Sequence, residues 1–361
     1  MKALFRLTDV PVMDIHRIIK ESNEKDASDI HLVAGEKPML RVDTGLTRMD
    51  LPELKAEDMH KFLDSILNDA QKETFEKFQD VDLSWATKDS RFRMNAHLQR
   101  GLPAIAMRAI KTVIPPLEVL NLPPAIGPLT DLPRGLVLVT GDTGSGKSTT
   151  LASLLNQINK TKQRHIITLE DPVEYTFESE QCLVEQRELG RDMPSFASGL
   201  KHALRQDPDI ILVGEMRDLE TASLAISAAE TGHLVLSTLH TVNASQTVER
   251  IIDMYPANQQ GQIRSMLANT LKAVVAQTLL PKIGGGMVPA VEVLLCNPAV
   301  RNIIRESRTF EIPNVIETSS RKGMMTRDAS ISELVYNGLV DLDIAIANAT
   351  DPERLSMTLA A

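Results

Sequence analysis

Cysteine is scarce in this 361-residue chain: Cys182 and Cys296 are the only two, far apart. Two distant cysteines support neither a disulfide framework nor a zinc site. Each stands beside leucine (Leu183; Leu294 and Leu295), the setting of a buried thiol. Aromatics are 3% of the residues, which leaves few platforms for stacking single-stranded nucleic acid. A basic surplus is missing too. The net charge is −9, against any general affinity for nucleic acid. No apolar run approaches the ~18 residues needed to span a bilayer. Met1–Arg6 meets charge too early for a signal-peptide core. The expectation is a cytoplasmic protein without direct membrane insertion, touching a membrane only through partners.

Apolar residues make up 43%, ample for two cores, and the length suggests two domains. Residues 1–112 read as a small α+β domain. Helices are expected over 10–25 and Ala56–Phe78, and short strands over Ala27–Leu32, Pro38–Asp43, Val81–Trp85, Ser90–Gln99 and Leu102–Ile110. Residues 113–134 carry Pro115, Pro116, Pro123, Pro124, Pro128 and Pro133. That density predicts a stiff linker without regular structure. From 135 to 361 strands and helices alternate, which predicts a mostly parallel α/β sheet covered on both faces.

The most informative stretch is Gly141-Asp142-Thr143-Gly144-Ser145-Gly146-Lys147-Ser148, a full phosphate-loop pattern. Gly135–Thr140 before it is an apolar strand. After it, Leu151, Leu154, Leu155 and Ile158 fall on one helix face. Glycines let the backbone wrap a phosphate without a Cβ in the way. Successive N–H groups and the helix N-terminus then point at the anion. Gly141, Thr143, Gly144, Ser145, Gly146, Lys147, Ser148 and Thr149 are therefore the candidate nucleotide-binding residues, with Ser148 a candidate Mg²⁺ ligand.

Two further apolar strands end in carboxylates: His165–Glu170, stopped by Asp171-Pro172, and Asp209–Val213, followed by Gly214-Glu215. In a parallel sheet such ends converge on the ligand edge. Hydrolysis of a γ-phosphate needs a base for the attacking water and a held Mg²⁺. Glu170 suits the base and Glu215 the metal; on spacing alone the roles are interchangeable, and a strand-end carboxylate can equally cap a helix, as Asp218 would. Thr231–Thr241 holds a strand with a histidine at each end. His240 at the carboxyl end can contact a γ-phosphate, while His233 lies at the other end. Arg91, Arg93, Arg100 and Arg108 sit in the small domain's last strands, where a solvated face is the ordinary reading.

At these residues the chain resembles the secretion-superfamily hexameric ATPases, and more closely the PilT-type retraction motors of type IV pili. Gly141–Ser148 matches Walker A, Ile166–Glu174 an Asp box with Glu170 at the catalytic glutamate, Ile210–Glu215 an atypical Walker B, and Thr231–Thr241 a His box. Gln186-Arg187-Glu188 resembles a Q-R-E segment, and Ala299–Glu306 the A-I-R-x-x-I-R-E motif tied to retraction, with Val300 for isoleucine. Asp142 stands where many relatives carry proline. The resemblance implies a RecA-like core after a PAS-like N-terminal domain, with ATP and Mg²⁺ as cofactors. It assigns catalysis to Lys147, Glu170, Glu215 and His240, and nucleotide contacts to His233, Arg93 and Arg108. The implied partners are five further copies in a hexamer, an inner-membrane pilus platform protein and a PilU-type paralogue. An assembly-direction pilus or type II secretion ATPase is the alternative of the same class, and a non-motor, nucleotide-gated accessory subunit the alternative of another.

Overall fold

The computed structural model describes residues 13–42, 45–87, 90–110 and 113–360. They fall into two compact units, 1–112 and 113–361. Residues 10–12 of the expected first helix, Asp43 of the second strand, and residues 111–112 lie outside the described residues.

In chain order the first unit runs α1 (Ile15–Glu24), β1 (Asp29–Val33), β2 (Met39–Val42), β3 (Gly45–Arg48), α2 (Ala56–Ile66), α3 (Asp69–Phe78), β4 (Asp80–Ala86), β5 (Arg91–Gln99) and β6 (Leu102–Ile110). The strands form an antiparallel sheet in the order β3-β2-β1-β6-β5-β4. Period-two alternation sends Ile30, Leu32, Phe92, Met94, Ile105 and Met107 to one face. That face packs with Ile18, Met59, Phe62 and Leu63 from the helices. Arg93 and Arg108 are directly opposed on the other face, and Asp29 opposes Arg108 one strand further.

Two expectations are corrected here. The helix expected over Ala56–Phe78 is two helices. Asn68 takes an extended conformation and caps α3: its side chain accepts from Gln71 N at 2.9 Å, and the Gln71 side chain accepts from Asn68 N at 3.0 Å. A reciprocal cap of this kind starts a new helix even where the apolar period continues. Arg100 is not in a strand. With Gly101 it forms the β5–β6 turn at φ 52° and 75°.

The second unit opens with the proline-rich segment, and this too departs from expectation. Leu117–Leu120 and Pro124–Asp131 form 3₁₀ helices. Fixed φ at proline suits these short turns. Ile126 is fully buried and Leu129 nearly so, in the core that also holds Val137, Leu151 and Leu155. From residue 117 on, the segment is therefore part of the second core rather than a bare tether.

Then follow β7 (Gly135–Thr140), α4 (Lys147–Thr161), β8 (His165–Glu170), β9 (Leu183–Glu188), α5 (Phe196–Ala203), β10 (Ile210–Val213), α6 (Leu219–Thr231), β11 (Leu234–Leu239), α7 (Ala244–Asp253), α8 (Gln260–Thr270), β12 (Leu271–Pro281), β13 (Met287–Leu295), α9 (Pro298–Arg305), α10 (Ile312–Thr318), α11 (Arg327–Tyr336), α12 (Leu342–Asn348) and α13 (Pro352–Ala360). The sheet order is β13-β12-β7-β11-β10-β8-β9, parallel except for the β13 edge. Leu136 and Leu138 point into a core with α5–α8, and Val137 and Val139 into one with α4. Burial on both faces is why these strands read as unbroken apolar runs. Cys182 and Cys296 are buried and free. The Ala299–Glu306 motif forms α9, capped by Asn297, with Val300, Ile303 and Ile304 inward.

If residues 117–134 belong to the core, Ile126→Ala removes a fully buried side chain there. It should cost about 2–5 kcal/mol in the urea unfolding transition of the second unit. A change below about 1 kcal/mol would return the segment to the status of a tether.

Candidate functional site

The parallel register of β7, β11, β10 and β8 brings their carboxyl ends to one edge of the sheet. The backbone laces that edge together. Gly141 N donates to Leu239 O, Gly214 N to Leu169 O at 2.8 Å, and Met216 N to Thr238 O. The Thr238 hydroxyl donates to Gly214 O at 2.6 Å. Residues that follow these strands are thus fixed relative to one another: Gly141–Lys147 after β7, Glu170 at the end of β8, Glu215 after β10 and His240 after β11.

The loop after β7 is shaped for an anion. Gly141 sits at φ 137°, and a Cβ there would lie 2.2 Å from Gln277 O and 2.6 Å from Ser145 Oγ; only glycine fits. Gly146 precedes α4 at φ 87° and caps no N–H with a side chain, so the first-turn amides of α4 stay available. Ser145 Oγ is buried with no protein partner. A buried orphan hydroxyl beside those amides fits a phosphate group. Lys147 Nζ donates to Gly141 O and Asp142 O, each at 2.8 Å. Burial pulls its pKa below the usual lysine value, opposed by the charges of Glu215, Asp142 and Glu174. Asp142 itself is exposed. The Thr149 hydroxyl lies 2.9 Å from the Tyr175 hydroxyl.

Glu170 is 8% exposed. Its Oε1 accepts from the Thr168 hydroxyl at 2.6 Å and from Gln186 Nε2 at 3.1 Å, and its Oε2 from Glu174 N at 3.3 Å. Burial pushes its carboxyl above the usual glutamate value in spite of these bonds. Glu215 is more open. Its Oε2 accepts from Arg217 Nε at 2.8 Å, and His240 Nε2 lies 3.2 Å from its Oε1. Oxygen donors alone, the Ser148 hydroxyl and the Glu215 carboxylate, suit a hard cation such as Mg²⁺. With both Glu215 oxygens already engaged, a bridging water is the fitting contact.

His233 is not brought to this edge. It precedes β11, about 20 Å from the loop at ~3.3 Å per residue, and its Nδ1 lies 3.0 Å from Ala228 O at the end of α6. Within this chain its ring meets the end of α6, at the opposite end of β11 from the loop. Arg93 and Arg108 lie in the first unit. Arg108 Nε donates to Asp29 Oδ1 at 2.8 Å. Against the effect of burial, the Ser28 hydroxyl and Arg108 hold the Asp29 carboxyl below the usual range. Asp218 accepts from Thr221 N and caps α6. Thr168, Gln186, Tyr175 and Arg217 were not singled out as site residues from sequence. Arg217 stands two residues after Glu215, a spacing that could have flagged it.

Residues 8–338 match the family model described as "Type II/IV secretion system protein". The chain belongs to that family. Among type II/IV secretion system proteins it is 46% identical over 343 residues to the type IV pilus "retractation" ATPase PilT of Pseudomonas aeruginosa, covering 95% of this chain and 100% of that protein. It is 37% identical to the type IV pilus ATPase PilU of the same organism, over 96% of this chain and 91% of that one. The solved structure of a pilus retraction motor, PilT, with bound ADP superimposes with a TM-score of 0.89 at 45% identity, covering 96% and 99% of the two chains. The fold is that of the family: a RecA-like ATPase core with a smaller α+β N-terminal domain.

Gly141→Ala should weaken nucleotide binding by about tenfold or more, because the added Cβ forces the loop off Gln277. Isothermal titration with ADP reads this directly. Binding within twofold of the parent would show that the loop's close approach to β12 is dispensable.

Proposed function

We propose that this chain is the ATP-hydrolysing motor of type IV pilus retraction, acting as a homo-hexamer that draws pilin subunits from the pilus base. The carrying observation is the edge that gathers Lys147, Glu170, Glu215 and His240 in a chain so similar to PilT along its length. At the inner face of the membrane it would engage an inner-membrane platform protein, with a PilU-type paralogue as a further partner. Among the described residues no helix is long and apolar enough to cross a membrane, so attachment would run through that partner.

In this reading the phosphates of ATP lie on the first-turn amides of α4, and Lys147 transfers its ammonium from the two loop carbonyls to the β- and γ-phosphates. Mg²⁺, held by Ser148 and through water by Glu215, would neutralise charge on the phosphate oxygens. Glu170 accepts the proton of the attacking water. A buried carboxylate with a raised pKa is a stronger base than an exposed one. His240, joined to Glu215, registers loss of the γ-phosphate. Arg93 and Arg108 of the N-terminal domain would add positive charge at the transition state.

Lys147→Ala should abolish turnover. Glu170→Gln should bind ATP with parental affinity and hydrolyse it at least about a hundredfold more slowly; a fast Glu170→Gln enzyme would remove that residue from the base role. The base must be ionised. The parent's kcat should therefore be flat at high pH and fall as pH drops through a midpoint above 4.5, the ordinary glutamate value. In a deletion strain of the source organism, surface filaments should increase while surface motility is lost. Bald cells would instead assign the chain to filament assembly.

A further inference from the structure

The Q-R-E segment, Gln186-Arg187-Glu188, has no part in the chemistry above, yet it forms the end of β9 against the strand that carries Glu170. The two strands are parallel with Thr168 opposite Gln186 and Glu170 opposite Glu188. Gln186 uses its whole amide. Its Nε2 donates to Glu170 Oε1 at 3.1 Å and to Tyr175 O at 2.7 Å, and its Oε1 accepts from Phe177 N at 2.9 Å. Turning the amide over would set an oxygen against two acceptors and an N–H against a donor, so the arrangement has one satisfied orientation. Two residues on, Glu188 accepts from Val173 N at 3.2 Å through its Oε2. The segment therefore grips the 171–177 loop at three backbone points and the glutamate itself at one.

We propose that Gln186, together with Thr168, positions the Glu170 carboxylate for water activation. Resting on the reading of Glu170 as the base, the inference adds how that base is aimed. Thr168 and Gln186 both bond Oε1. Glu174 N holds Oε2 at a longer 3.3 Å, which makes Oε2 the oxygen with more capacity to take a proton. A carboxylate without these two donors could turn about its terminal torsion, which is broad and nearly two-fold. The same amide ties Glu170 to nucleotide binding. Gln186 holds the Tyr175 carbonyl, and the Tyr175 hydroxyl meets Thr149 in the first turn of α4. Occupancy of the phosphate loop and the aim of the base thus share one hydrogen-bonded path, in which Gln186 acts through Glu170 and Tyr175.

The test compares Gln186→Glu and Thr168→Val with Glu170→Gln in the full-length protein. Gln186→Glu keeps the side chain's shape but replaces the donor to Glu170 with an acceptor. Thr168→Val keeps the strand's packing and removes the other donor. Each should lower kcat about ten- to a hundredfold, the loss typical of a misplaced catalytic group. In Thr168→Val, which leaves the Gln186–Tyr175–Thr149 path intact, ATP affinity measured with a non-hydrolysable analogue should stay within about twofold of the parent, as expected when only transition-state stabilisation is lost. In the Glu170→Gln background neither change should slow single-turnover hydrolysis further, since residues acting as a unit are not additive. Parental kcat in either folded variant would overturn the proposal, as would an equal further loss in the Glu170→Gln background. A fast Glu170→Gln enzyme would instead overturn the base assignment beneath it. If Gln186→Glu fails to fold, Thr168→Val alone decides whether holding Oε1 matters.

Discussion

The flush parallel register of β7, β11, β10 and β8 is the constraint on which the rest depends. Parallel strands place all their carboxyl ends on one edge. Here that edge is fixed by backbone bonds between loops as well as between strands, from Gly141 to Leu239 and from Gly214 to Leu169. The phosphate loop, the two carboxylates and His240 come from four separate segments. None approaches another by local sequence. A one-residue slip in any pairing would turn side chains to the other face, so the cores on both sides, which fix the faces, also fix the chemistry.

Within this edge the two carboxylates live differently. Glu170 is enclosed and held by three neutral donors, so its charge is costly and its basicity raised. Glu215 is more open and meets Arg217 and His240. Two carboxyl groups with divergent environments suit two roles. Spacing alone leaves those roles interchangeable; these surroundings support the proposed mechanism, with Glu170 as base and Glu215 as the group near a cation.

Much of this was legible in the chain. A glycine-rich loop between an apolar strand and an amphipathic helix carries its own context, and apolar strands that stop at Glu170 and shortly before Glu215 mark the ligand edge. Other parts were not legible, for identifiable reasons. Ala56–Phe78 keeps an apolar period across Asn68, and periodicity is blind to a cap, although the Asn68-x-x-Gln71 spacing was a usable signal. Proline density between 113 and 134 hid Ile126 and Leu129, which bury themselves from 3₁₀ turns that have no long period. β3, exposed along its whole length, has no apolar face to announce it. Gln186 and Thr168 are polar residues on adjacent strands. Their meeting with Glu170 is a fact of pairing that no local pattern encodes.

Lys147 has a consequence for timing. Its ammonium is satisfied by Gly141 O and Asp142 O, so the loop supplies its own competitor for the charge that phosphate claims. In the proposed mechanism binding would be an exchange of partners for the lysine rather than the filling of a bare need. The same exchange runs backwards after hydrolysis. Two carbonyl oxygens stand ready to take the ammonium back, so departure of the nucleotide would leave no buried charge unpaired. In a machine that must repeat its cycle many times, readiness to release is worth as much as strength of grip.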